Sequence, residues 1–291
     1  MIDAPCLLAF VAVAETHSFS AAAERLFITQ PAISKRIALL EQQLDARLFD
    51  RVGRQITLTE AGDALLPRAR SVLMDINDMS RAIHDLTGEV AGKLRVGTSH
   101  HIGLHRLPPV LRHYSQRYPR VKLDIHFIDS EEAWEAVLGG ELEMGVVTLP
   151  PKPDDRLNSQ IIWQDPLVFV CAPEHPLAKC QSVTLDMLTQ YSAILPSPVT
   201  FTRGIVERLF DEHNLKLDIA MSTNYLETIN MMVSIGLGWS VLPATMLNGE
   251  AVQLPVDVPL PVRQLGVVTH PGRSQSNAAK AFIDALNAAQ G

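Results

Sequence analysis

The chain has 291 residues, 47% of them hydrophobic, enough to build two or more domains with cores of their own. Its net charge is -7, and residues 1–62 alone hold six Lys/Arg against seven Asp/Glu, so charge by itself argues for no nucleic-acid partner. The three cysteines, Cys6, Cys171 and Cys180, make no even disulfide framework and no metal-ligand spacing, and no apolar run reaches transmembrane length.

The first apolar stretch, Cys6 to Ala14, contains Ala12-Val13-Ala14, which mimics a cleavage site. It lacks a basic leader, carries Asp3 and is short for a signal peptide, so it is expected to be the first helix of a folded head, with the protein cytoplasmic and no membrane partner. From Ser18 to Arg54 the sequence reads as two short helices and a basic turn. Ser18 or Ser20 caps a helix with the small run Ala21-Ala22-Ala23, and Phe27-Ile28 ends it. Thr29 caps a second helix with Pro31 in its first turn, and Ile33, Ile37, Leu40 and Leu44 recur on its buried face. Gln30, Ser34 and Lys35 crowd its N-terminal end, where amide, hydroxyl and ammonium groups suit the edge of a major groove. The turn from Leu48 to Thr59 places Arg51 and Arg54 around Gly53 between strand-like pieces, as a wing reaching a DNA backbone or minor groove needs.

AAAERL, TQPAISKRIALLEQQL, LFDR and LTEAG resemble the winged helix-turn-helix of LysR-type transcriptional regulators, in unbroken order over about the first sixty residues. The resemblance implies double-stranded promoter DNA as partner. It adds Ser20, Thr29, Pro31 and Arg36 to Gln30, Ser34, Lys35, Arg51 and Arg54 as DNA-binding candidates.

From Thr59 the period changes. Leu65, Ala69, Val72, Ile76, Met79, Ile83 and Leu86 alternate steps of four and three, a heptad seam for pairing with another helix, which Thr87-Gly88 ends. Pro67 should remove one backbone bond near its start. The seam either packs on the rest of its own chain or dimerises; the resemblance favours a dimerising linker and implies a homodimer or homotetramer.

Beyond Gly92 strands alternate with helices, which predicts α/β domains with largely parallel sheets. Strands are expected at Lys93–Gly97, Val121–Ile128, Met144–Thr148, Ile161–Trp163, Leu167–Cys171, Leu217–Met221 and Gln264–Thr269. Helices are expected through Leu107–Tyr118, Glu131–Leu138, Thr202–His213, Leu226–Ile235 and Ala278–Ala288. The fold class is therefore α plus α/β: an N-terminal winged helix-turn-helix (1–59), a linker helix (60–88) and a two-lobed α/β effector domain (92–291) resembling type 2 periplasmic binding proteins. Lobe I is expected at about 92–163 and 266–291, and lobe II at about 164–265.

The resemblance implies a small-molecule effector between the lobes, at the strand-to-helix turns facing the cleft. Carried over residue by residue, the pattern names Thr98, Ser99 and His100 after the first strand, Asp129 and Ser130 after the second, and Thr148 after the third. In the other lobe it names Thr200, Phe201, Thr202, Arg203, Asn224 and Tyr225. Hydroxyls at helix starts favour a carboxylate. Arg203 sits in a helix first turn, where the dipole disfavours a cation, so either a carboxylate ligand or Glu207 pairs with it. Asp129 asks the ligand for a hydroxyl or amine.

His101 and His105 stand four apart, but Pro108-Pro109 leaves their sharing a helix open, and no Cys or acidic residue completes a ligand set nearby. No metal or cofactor is expected, and His100 reads as a hydrogen-bonding group of the pocket. A redox-sensing regulator using Cys171 and Cys180 is an alternative. The family's peroxide-sensing branch carries its two cysteines in the segment corresponding to Pro196–Phe210, which has none here. A solute-binding protein is the second class. With no Gly-rich phosphate loop, nucleophile elbow or metal quartet, the chain is not expected to be an enzyme.

Overall fold

The computed structural model describes residues 2–52, 55–85, 88–247 and 249–289. The chain separates into two compact units, Met1–Thr87 with Gly139–Glu141, and Gly88–Leu138 with Leu142–Gly291. The first begins with α1 (Ala4–Thr16), capped by Asp3, whose Oδ1 accepts from the Cys6 N–H at 2.9 Å, with Pro5 in the first turn. α2 (Phe19–Arg25) is capped by Ser18, whose Oγ accepts from Ala21 N–H; Ser20 lies inside the helix, exposed. Two small residues of α2, Ala22 and Ala23, are buried where neighbouring helices come close. α3 (Gln30–Leu44) starts at Thr29, which makes no side-chain cap bond, and buries Ile33, Ile37 and Leu40. Strands β1 (Phe49–Val52) and β2 (Gln55–Leu58) pair antiparallel with Phe49 opposite Leu58, and form the wing.

One core joins these pieces: Phe10, Ile33, Leu40 and Leu48 are fully buried, with Ile56, Leu58 and Leu65 packed on them. Glu15 links the first helices, accepting from Arg25 at 2.6 Å and from Arg70 at 2.9 Å. α4 (Glu60–Asp85) begins after Thr59, whose Oγ1 accepts from Gly62 N–H. A Cβ on Gly62 would lie 2.3 Å from the Leu48 carbonyl oxygen, so the LTEAG glycine lets α4 meet the strand entry. Ala69 is buried in the head core, but Val72, Ile76, Met79 and Ile83 further along α4 are 37–68% exposed. Leu86 and Thr87, assigned to the seam end, and Gly53 and Arg54 of the wing lie outside the described residues.

The second unit starts with β3 (Gly92–Thr98), α5 (His100–His105), α6 (Leu107–Arg117), β4 (Val121–Phe127), α7 (Ser130–Leu138) and β5 (Met144–Thr148). β3 pairs parallel with β4 and β5. β6 (Asn158–Cys171) then runs on into the second lobe, where α8 (Leu185–Thr189), β7 (Ala193–Leu195), α9 (Phe201–Asp211), β8 (Ile219–Ser222), α10 (Leu226–Ser234), β9 (Ser240–Pro243) and β10 (Val252–Gln253) follow. β11 (Val262–Thr269) returns antiparallel to both β6 and β5, and α11 (Asn277–Ala288) closes on the first lobe. The expectation of largely parallel sheets is thus corrected. β3, β4 and β5 are parallel, as are β7 and β8, but β6 and β11 carry the chain between lobes and must pair antiparallel.

The two-strand reading of Ile161–Trp163 and Leu167–Cys171 is corrected to one strand, β6, whose halves enter different cores. Ile162 and Trp163 pack with Phe282 and Tyr114, whereas Leu167 and Phe169 pack with Phe210 and Trp239. Trp239 anchors the second lobe, stacking on Phe210 at 5.8 Å and donating Nε1–H to the Leu188 and Tyr191 carbonyls. Among the described residues no helix is long and apolar enough to cross a membrane.

Candidate effector cleft and DNA-reading helix

In the first unit the N-terminal end of α3 presents Gln30, Pro31 and Lys35 to solvent beside exposed Thr29, with Ser34 and Arg36 half-buried. Gln30 Nε2 donates to Ser34 Oγ at 3.1 Å, so the two polar readers of the sequence pattern sit side by side, one turn apart. Their buried backs, Ile33 and Ile37, hold this edge outward. Arg51 lies in β1 opposite Ile56.

In the second unit a cleft of about 370 Å³ opens between the strand-to-helix turns of the two lobes. It is lined by Ser99, His100, Asp129, Ser130, Thr148, Thr200, Thr202, Asn224 and Tyr225 among the sequence-named residues, together with His101, Phe127, Glu131, Glu132 and Arg263. Ser99 begins α5 without a side-chain cap bond. His100 stands edge-on between Tyr225 at 5.5 Å and Phe127 at 6.4 Å, and these half-exposed rings give the cleft an apolar wall.

Three sequence-named residues, Thr98, Phe201 and Arg203, do not line the cleft. Thr98 is fully buried and donates its hydroxyl to the Val146 carbonyl at 2.9 Å, tying β3 to β5. Arg203 is buried along α9, where Nε donates to Glu207 at 2.7 Å and Nη1 to the Pro196 carbonyl at 3.1 Å. The dipole-disfavoured cation therefore has its explanation inside the lobe, and Arg203 does not line the cleft. Phe201 contributes its backbone N–H, donated to Glu131 Oε1 at 2.5 Å, and its ring stands edge-on to Trp134. Thr200 is spent on local turns, donating to the Ser197 carbonyl and accepting from Arg203 N–H.

The cleft's cation is Arg263, on β11, which the sequence pattern missed. Its Nε donates to Asp165 Oδ2 at 2.6 Å and its Nη1 to Thr202 Oγ1 at 3.3 Å, while Nη2 is buried without a hydrogen-bond partner among the described residues. Burial pushes its pKa below the usual arginine value, opposed by Asp165. Acids line the cleft too. Asp129 Oδ2 accepts from Asn224 Nδ2 at 2.6 Å across the cleft, and burial raises the Glu131 carboxyl above the usual range. Arg263 stands one residue before the strand expected at Gln264–Thr269, where a cation reads as a solvated loop residue.

The expectation that no acidic residue completes the histidine pair is corrected. His101 and His105 share α5, and Glu227, in the first turn of α10, comes to them from the other lobe. Burial, with the Arg263 cation next, pushes the His101 imidazole down to about 4. Cys171 is fully buried in β6, its thiol pushed up to about 11 by burial, and Cys180 lies half-buried beyond it; both are free thiols.

Two family models match the chain: "Bacterial regulatory helix-turn-helix protein, lysR family" over residues 6–63, and "LysR substrate binding domain" over residues 87–291. The HTH-type transcriptional activator CmpR of Synechocystis sp. is 30% identical over 283 residues, covering 95% of this chain and 92% of its own. An uncharacterized HTH-type regulator from the ibpB-leuC intergenic region of Azotobacter vinelandii is 64% identical over 108 residues, 37% of this chain and 75% of its own. The structure of a full-length OxyR variant from Pseudomonas aeruginosa superimposes with a TM-score of 0.71 at 23% identity, covering 99% of this chain and 98% of that one.

Proposed function

This chain belongs to the LysR family of DNA-binding transcriptional regulators with an effector-binding domain, and from that premise we propose that its effector is a small carboxylate carrying hydroxyl or amino groups. The observation that carries this reading is the buried, unpartnered Nη2 of Arg263 at the cleft. A buried guanidinium N–H without an acceptor is costly, and a carboxylate supplies a charge-assisted one. Ser99 and Thr202 add hydroxyls, His100, Phe127 and Tyr225 pack the ligand's carbon face, and Asp129 and Glu131 ask it for donors. Bonds to both lobes make ligand affinity depend on their separation, which is how an effector biases a two-lobed domain.

In the head, Gln30, Ser34 and Lys35 read bases or hold phosphates, supported by Ser20, Thr29, Pro31 and Arg36, with Arg51 and Arg54 serving the wing. The exposed apolar stripe of α4 supports a homodimer, and the family a dimer of dimers, acting on promoter DNA in the cytoplasm. An effector-dependent change in promoter binding also separates this reading from a redox-sensing or solute-binding one.

Calorimetry with matched pairs of small hydroxy-acids and their neutral amides, on the wild type and Ser99→Ala, tests the effector class. The acids should bind at least about tenfold tighter than their amides, and Ser99→Ala should lose about 0.5–1.5 kcal/mol. Equal binding of acid and amide would remove the anionic assignment.

A further inference from the structure

We infer that His101, His105 and Glu227 form a binding site for one divalent transition-metal ion of zinc type, shared between the two lobes. His101 and His105 lie four apart on α5 with ring centroids 4.7 Å apart, and Glu227 reaches them from α10. One ligand atom from each of the three lies within 4.8 Å of the others. His105 Nε2 is 3.1 Å from Glu227 Oε1, while His101 Nδ1 is 3.7 Å from the same oxygen, too far for a hydrogen bond.

A second observation points to a ligand. His101 is only 3% exposed, yet among the described residues neither ring nitrogen has a hydrogen-bond partner, and Glu227 Oε2 is likewise buried without one. Buried imidazoles nearly always orient one nitrogen on a carbonyl or carboxylate, because an unpaired polar atom in the interior costs free energy. A metal ion supplies the missing partner. Two imidazoles and a carboxylate suit zinc and its neighbours rather than calcium or magnesium, which prefer oxygen throughout. Three protein ligands also leave a fourth tetrahedral position open.

Asp165 pairs with both nearby guanidiniums, Arg106 and Arg263, and Glu227 brings its own negative charge to the ion. Bonds of about 2.0–2.1 Å place ligand atoms about 3.3 Å apart. That is close to the 3.1 and 3.7 Å that already separate Glu227 Oε1 from the two histidines, so the ion would hold α10 and α5 near this separation. It would thereby favour one separation of the lobes, as an effector does, with His101 common to both sites. His105 and Glu227 do not line the cleft that holds Arg263.

The test uses full-length protein stripped with a chelator, then titrated with Zn²⁺ against a chromophoric chelator and with Co²⁺ by visible absorption. His105→Gln and Glu227→Gln change groups that are partly exposed and should leave the fold intact, which far-ultraviolet dichroism checks. The wild type should bind one ion per chain with a tetrahedral-type cobalt spectrum, and each variant should bind at least about tenfold more weakly. Zinc should raise the unfolding temperature of the wild type and not of the variants. Absence of stoichiometric binding at micromolar zinc would overturn the proposal, and so would equal affinity in folded variants, which would put the ion on other histidines.

Discussion

Arg263 and Asp165 face each other in register across β11 and β6 and hold a buried ion pair, Nε to Oδ2 at 2.6 Å. Arg106 completes the arrangement, donating Nη2 to the other oxygen of Asp165 at 2.9 Å. The pair sits where the two crossing strands pass from one lobe to the other, so it fixes the frame on which both lobes hang. Arg263→Gln leaves the buried Asp165 carboxylate with Arg106 alone, and should cost about 3–5 kcal/mol in urea unfolding. All three tryptophans, Trp134, Trp163 and Trp239, lie in this unit, so their fluorescence reports it directly. Arg263→Gln with Asp165→Asn should recover part of the loss, because the one charge then left, Arg106, is partly exposed and reaches water. A loss under about 1 kcal/mol in the single variant would mean the pair has little structural weight.

Arg203 should behave differently from Arg263. Its guanidinium is satisfied by Glu207 and the Pro196 carbonyl within the second lobe. Arg203→Gln is expected to lower stability by about 1–3 kcal/mol while leaving carboxylate affinity unchanged within calorimetric error. Thr202→Val, which removes the hydroxyl bonded to Arg263, should instead weaken the ligand. If Arg203→Gln abolishes effector binding in a folded protein, the cation assignment returns to α9.

How much of this site was legible follows from how far apart its parts stand in the chain. Ser99, Asp129, Ser130, Thr148, Asn224 and Tyr225 each sit at the end of a strand or the start of a helix, where the family resemblance could be carried over position by position. Arg263 gave no such signal, because its meaning depends on Asp165, 98 residues away, and Thr202, 61 away. Glu227 is 122 residues from His105, beyond any reading of local spacing. Gln164-Asp165-Pro166 interrupts an apolar run and so disguises β6 as two strands; the polar break is where the strand leaves one core for the other. The short α8 and β7 lacked the length to show a period, whereas α3 and α4 showed theirs over several turns.

At the reading head, Gln30→Ala and Ser34→Ala should each cost about 1–3 kcal/mol on a specific promoter fragment and relax base preference. Their mutual hydrogen bond at 3.1 Å predicts that the two losses will not add. Lys35→Gln should weaken specific and random DNA alike and reduce the salt slope by about one. Shift assays at several salt concentrations distinguish these behaviours. Equal affinities across the three variants would move base reading off this helix edge.

The cysteines should be poor sensors. Burial, followed by the Asp3 hydrogen bond, pushes the Cys6 thiol up to about 11, and burial alone takes Cys171 to about 11. Both are therefore thiols rather than thiolates at neutral pH, and thiolate is the reactive form. Titration with a chromogenic disulfide on folded protein should modify Cys180 first and reach three thiols only on unfolding. Peroxide treatment should leave promoter binding unchanged; a peroxide-induced shift abolished by Cys171→Ser would restore the redox reading.

Leu65 and Ala69 at the start of α4 pack into the head core, yet Val72, Ile76, Met79 and Ile83 continue the same four-and-three spacing on an exposed face. A helix whose apolar stripe outlasts its own core is suited to a partner helix, since each exposed aliphatic side chain gains about 1.5–3 kcal/mol on full burial. Ile76→Asp places a charge in that stripe, where desolvation without a partner is costly. Sedimentation should show a smaller species, and promoter affinity should fall because two linked heads bind one site more tightly than either alone. The tryptophan signal of the effector unit should stay native, since Ile76 belongs to the other compact unit. Glu60→Lys, at an exposed position in the first turn of the same helix, serves as the charge-change control and should leave assembly intact. An Ile76→Asp protein that sediments like the wild type would place the dimer contact elsewhere and leave the stripe a surface feature of a single chain.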